Sequence, residues 1–127
     1  MNSRRVFAAS LLASLWAISF SGPARPADRP STTIKGYVID SACTFTKGLK
    51  KPISSECATA CAKAGSPLVI QTEAGTVYLP IADSMPAASQ NDRLLPYAGQ
   101  IVSVTGKVYT RGGAHAIVIE KIEAAGK

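Results

Sequence analysis

The chain has 127 residues, 46% of them hydrophobic and 17% charged, with a formal net charge of +6. Removal of an N-terminal export signal leaves about 100 residues, one small domain with a modest core, which excludes a two-domain enzyme. A cut after Ala27 removes Arg4, Arg5 and Arg25, leaving 11 Lys and Arg against 8 Asp and Glu, a net charge of +3; the one local basic cluster, Lys47, Lys50 and Lys51, has no aromatic interleaving, which argues against nucleic acid as a partner.

The leader comes first. Arg4 and Arg5 precede a moderately apolar stretch from Val6 to Phe20, broken at Gly22-Pro23. Its 15 residues fall short of the roughly 20 that a membrane span needs, so residues 1–27 read as a signal peptide, cleaved after Ala24 or Ala27. The mature chain then has no transmembrane segment and a periplasmic or secreted location. Ser3-Arg-Arg-Val-Phe7 resembles the twin-arginine export signal, which implies export of an already folded protein. Phe7, Trp16 and Phe20 leave with the leader, and five aromatics remain, too few for a large aromatic-lined pocket.

Residues 28–33 read as a flexible tether, and a single domain is expected over 34–123. Ile34–Ile39 is a first strand by its β-branched content. Ser54 or Ser55 caps a helix through Ala64, with Glu56 in its first turn, Gly65 at its end and Pro67 forbidding continuation. Leu68–Gln71 and Thr76–Ile81 flank a glycine-ended loop and form an antiparallel hairpin. Asp83 caps a further segment with Pro86 in its first turn, running toward Leu94 and Leu95 before Pro96. Gln100–Tyr109 and Ala114–Ile122 make a second hairpin around Arg111-Gly-Gly113, and Gly106 predicts a bulge or coil in the former. Mostly β with short helices, this order matches a five-stranded OB-like barrel with a helical insertion between strands 1 and 2.

Gly36-Tyr-Val-Ile-Asp-Ser-Ala-Cys43, Cys57, Cys61, Gly75-Thr-Val-Tyr78 and Gly99-Gln-Ile-Val-Ser-Val-Thr-Gly106 together resemble small exported bacterial proteins that look like OB barrels with a cysteine-bearing insertion after the first strand. The resemblance spans most of residues 34–122 and implies the fold; it marks the cysteines without implying an activity. Several members carry a histidine between the first two cysteines, and none lies between Cys43 and Cys57 here, a departure that speaks against a shared four-ligand site.

All three cysteines lie within 19 residues. Cys57 and Cys61, four apart on a helix, project from one face, and the loop between Cys43 and Cys57 is long enough to fold Cys43 onto it. Two chemistries fit. One is a structural disulfide from Cys43 to Cys57 or Cys61, since residues one turn apart on a helix do not easily bridge each other. The other is a three-thiolate site for a soft metal, Cu or Zn, with Asp40, Glu56 or His115 as a further ligand. Asp40 otherwise reads as a turn former and His115 as a packed strand residue.

Nothing pairs two carboxylates for acid–base work, and the chain lacks a phosphate-binding glycine loop, a Gly-x-Ser-x-Gly elbow and a Cys-x-x-Cys pair. The expected role is therefore a non-enzymatic binding or accessory domain whose partner is a protein or small ligand. The alternative is a thiol- or metal-dependent redox protein, or an accessory subunit of a periplasmic redox enzyme.

Overall fold

The computed structural model describes residues 29–48 and 53–126, so the leader expected over 1–27 lies outside the described residues. Five strands, β1 (Ser31–Asp40), β2 (Leu68–Gln71), β3 (Val77–Pro80), β4 (Ile101–Arg111) and β5 (Ala114–Ala124), form a closed barrel in the order β1-β2-β3-β5-β4. β1 pairs antiparallel with β2 and with β4, and β3 and β5 close the barrel in parallel, with Tyr78 opposite His115. This is the OB-like arrangement expected from the element order. Two short helices, α1 (Ser41–Thr46) and α2 (Ser55–Lys63), form the insertion between β1 and β2, and α3 (Asn91–Leu94) runs into a 3-10 turn, Leu95–Tyr97, before β4.

β1 starts three residues earlier than its apolar run suggests. Ser31, Thr32 and Thr33, assigned to the tether from sequence, pair with Lys107, Gly106 and Thr105, and the Thr33 and Thr105 hydroxyls meet at 2.8 Å. The long β4 supplies backbone partners that a local reading of Ser-Thr-Thr cannot anticipate. Arg29, still further upstream, lays its guanidinium over the Tyr109 ring at 4.5 Å, a cation–π contact that ties down the approach to the barrel. The predicted bulge is present: the β4–β5 register shifts between Thr105 and Gly106. Gly106 is required there because a Cβ would collide with the Val118 carbonyl oxygen.

Of the short helix or turn expected from Asp83, residues 83–86 take the turn-like course, a run of bends, and the helix begins only at Asn91. The reason is tertiary. Asn91 accepts the Leu68 N–H at 2.8 Å through Oδ1, and its Nδ2 donates to the Ser66 carbonyl at 2.9 Å and to the Ala62 carbonyl at 3.4 Å. Three hydrogen bonds, to α2, to β2 and to Ser66 between them, fix where α3 starts, outweighing a local cap at Asp83.

Two cores result. Inside the barrel, Val38, Ile70, Val102, Val104 and Ile117 are fully buried, with Leu94 of α3 packed in among them. On the opposite face of β1, Tyr37 and Ile39 pack with Val69 and with Cys43 of the insertion. Alternation along a strand sends Tyr37 and Ile39 to the face away from Val38. The continuous burial of residues 36–40 thus means that β1 is covered twice, by its own barrel and by the insertion. Burial of side chains of this size is worth about 1.5–3 kcal/mol each, so the packing of this second core holds Cys43 of the insertion in place.

Candidate metal centre

The three cysteines are delivered by two capped helices. Asp40 ends β1 in extended backbone and becomes the N-cap of α1: its Oδ1 accepts the Cys43 N–H at 2.9 Å, and the Thr44 hydroxyl donates to its carbonyl at 3.0 Å. A residue read from sequence as a turn former is thus a helix cap, and α1, unseen in the sequence reading, puts Cys43 on a helix instead of in a loop. The signal was present, since aspartate immediately after a strand is a strong N-cap, but six residues are too few for periodicity to register.

α2 follows its sequence signals closely. The Ser54 hydroxyl accepts the Cys57 N–H at 3.2 Å. At the other end Ser66 N–H donates to the Cys61 carbonyl and Gly65 N–H to the Ala62 carbonyl, both at 3.0 Å, with Gly65 at φ 102°. Those two bonds are a Schellman termination, which needs the left-handed conformation glycine tolerates. Both cysteines of α2 therefore sit on a helix fixed at each end.

The Sγ atoms of Cys43, Cys57 and Cys61 all lie within 4.8 Å of one another, and all three thiols are free. The bridge from Cys43 to Cys57 or Cys61 weighed above is not formed in this structure. A disulfide would require closure to about 2.05 Å. A metal asks for less: with metal–sulfur bonds of about 2.3 Å in a tetrahedral arrangement, the sulfurs stand about 3.8 Å apart. Exposure is graded, with Cys43 buried, Cys61 intermediate and Cys57 exposed.

Asp40 dominates the electrostatics. Its carboxylate is fully buried. Burial alone pushes its pKa up, but the Cys43 N–H and thiol and the Ser66 hydroxyl outweigh this and hold it below the usual carboxylate value. Its Oδ2 has no partner at ordinary hydrogen-bond geometry among the described residues. The Cys43 thiol is pushed up to about 11 by its bond to this carboxylate, by burial and by the carboxylate's charge. Cys61 is raised by burial first, then by the charges of Asp40 and Cys57. A thiol held protonated in this way is a poor nucleophile, and a cation among the sulfurs is what would draw the protons off.

The other candidate ligands lie elsewhere. Asp40 stands beside Cys43 and is outside the group of mutually close ligand atoms. Glu56 shares a separate surface depression with Ser55, Thr59, Ala60 and Lys63, on a different face of α2 from the cysteines. His115 packs its ring against Tyr78 at 5.4 Å and meets the Thr110 hydroxyl at 3.2 Å. It lines an apolar cleft of about 690 Å³ bounded by Phe45, Val69, Val77 and Leu79. The cleft lies over the strands on which OB folds bind ligands. Phe45, 73% exposed on α1, is a cleft residue that the strand-by-strand reading missed. No family model, curated protein or solved structure matches the chain.

Proposed function

We propose that this protein is a small exported metal-binding domain, not an enzyme, that holds one soft ion, Cu(I) in preference to Zn(II), on Cys43, Cys57 and Cys61. The observation that carries the reading is the convergence of three free sulfurs from two separately capped helices to within 4.8 Å. Cu(I) is favoured because three thiolates complete a soft coordination shell. Structural zinc takes four protein ligands, and among the described residues no fourth His, Cys, Asp or Glu joins the group. The Asp40 carboxylate, buried beside Cys43 and with no partner for its Oδ2 among the described residues, adds negative potential that a cation in the cluster would offset. Export to the periplasm or beyond rests on the leader of residues 1–27, and no helix among the described residues is long and apolar enough to cross a membrane. The partner is a protein or small ligand and not nucleic acid.

Anaerobic titration of the reduced protein with Cu(I) and with Zn(II), followed by metal analysis of the desalted product, tests the reading. One equivalent of copper retained by the wild type and lost in Cys43→Ser, Cys57→Ser and Cys61→Ser supports it. Copper present at about one hundred times its Kd should also stabilise the fold by about 2.7 kcal/mol. No metal retained, one free thiol and a loss of about 2–4 kcal/mol on reduction would show instead that the cysteines serve as a disulfide. The second reading, a thiol-based redox protein, draws on the same sulfur spacing with Cys57 exposed to oxidants; it requires reversible conversion between three thiols and one.

A further inference from the structure

We infer that the site passes its metal on by ligand exchange that begins at Cys57, and that the acceptor is a partner presenting two thiols. The inference rests on the metal-binding reading above and goes beyond it by naming the route and the class of partner. Its basis is the ordering of the three sulfurs by access. Cys43 is the floor: it is 6% exposed, packed with Tyr37, Ile39 and Val69, and its backbone is held by the Asp40 cap. Cys61 is intermediate, one turn further along α2 than Cys57. Cys57 is exposed in the first turn of that helix, beside Ser55 and Glu56, which are exposed as well.

An incoming sulfur can therefore approach the cluster from the Cys57 side, while the barrel wall closes the Cys43 side. A ligand that is buried, capped and packed leaves last, and one at the rim of a helix leaves first. A single acceptor sulfur would compete with three donors, whereas two acceptor sulfurs replace the cysteines in turn without releasing the ion to water, an advantage of effective concentration. The exchange balances without an oxidant or reductant. The first acceptor thiol loses its proton as its sulfur bonds copper, and the copper–Cys57 bond breaks as Cys57 takes up a proton. The second acceptor thiol likewise gives up its proton and displaces Cys61, which is protonated. Cys43 departs last and takes up one further proton from solvent. Copper remains Cu(I) throughout.

The test uses the whole chain loaded with one equivalent of Cu(I) and two synthetic peptides, one with two cysteines and one with a single cysteine. Transfer to the two-cysteine peptide is followed by native mass spectrometry. A bimolecular exchange predicts that about tenfold more peptide speeds transfer about tenfold. With the one-cysteine peptide, a short pulse of alkylating agent should label Cys57 in molecules that still hold copper, with Cys61 and Cys43 protected. Transfer at a rate independent of peptide concentration, or labelling of Cys61 before Cys57 in copper-bearing molecules, overturns the inference while the metal site itself survives. Failure of the wild type to retain copper before any peptide is added refutes the metal-binding reading and the inference with it.

Discussion

Replacing Asp40 with alanine should damage the site and the fold together, because this one side chain caps α1 and stands against the Cys43 thiol. Its Oδ1 accepts the Cys43 N–H at 2.9 Å and a longer bond from Ser66 at 3.4 Å. An N-cap of this kind is worth about 0.5–2 kcal/mol, and a buried N–H left without a partner costs about 1–3 kcal/mol. The two describe one bond seen from either end, so they overlap, and Asp40→Ala should cost about 2–3 kcal/mol in all. Asp40→Asn keeps a cap acceptor and should lose less than about 1 kcal/mol at neutral pH. The pH dependence separates charge from geometry. Hydrogen bonds hold the Asp40 carboxyl below its ordinary value. Its ionised form therefore stabilises the protein above the unfolded-state value of about 3.9, and that contribution is lost as pH falls through the lower folded value. Wild type should be the more stable of the pair at pH 7 and should converge on Asp40→Asn as the pH drops below the unfolded-state value. Urea unfolding followed by far-UV circular dichroism measures both quantities. If Asp40→Ala unfolds within about 0.5 kcal/mol of wild type, the size of a neutral surface change, or if Asn is as damaging as Ala, the cap does not hold α1 and the account of how Cys43 is positioned is wrong.

Three other outcomes are expected. Because Cys43 is pushed up to about 11 and Cys61 is raised as well, both are protonated at neutral pH and give up protons on coordination; apparent Cu(I) affinity should fall at least about a hundredfold for each unit drop in pH, read by competition against a chelator of known pH dependence. Gly106→Ala drives a Cβ into the Val118 carbonyl, a backbone atom that cannot swing away, so it should cost about 1–3 kcal/mol in thermal or urea unfolding, and a neutral outcome would mean that the bulge relaxes freely. Mass spectrometry of the exported protein should find its N-terminus at Arg25 or Asp28, and lysine at both Arg4 and Arg5 should block export if the leader uses the twin-arginine route.

What could be read from the sequence is what local chemistry decides. Ser54, Gly65 and Pro67 bracket α2, and the cap and Schellman bonds formed there follow from residue types alone. Once α2 is placed, the shared face of Cys57 and Cys61 follows from helical pitch. Gly106 announced its bulge because an unbranched backbone inside a β-branched run has few other uses. The errors fall where tertiary partners decide instead. Ser31–Thr33 are strand because β4 extends far enough to pair with them, and α3 begins at Asn91 because three hydrogen bonds anchor that side chain to α2, to β2 and to Ser66 between them.

The same distinction governs the choice of ligands. Glu56 is adjacent to Cys57 in sequence, but one step along a helix turns the side chain by about 100°, and Glu56 lines a depression with Thr59 and Lys63. Asp40, three residues before Cys43, does reach it, because an N-cap turns its side chain back over the first turn of its helix. His115 is eligible by chemistry but lies in the apolar cleft, against Tyr78. With those three removed from the ligand set, the described residues offer three sulfurs and a neighbouring carboxylate that acts through Cys43. That donor set suits an ion content with three soft ligands better than one that requires a fourth, which is why the copper and zinc arms of the titration should separate.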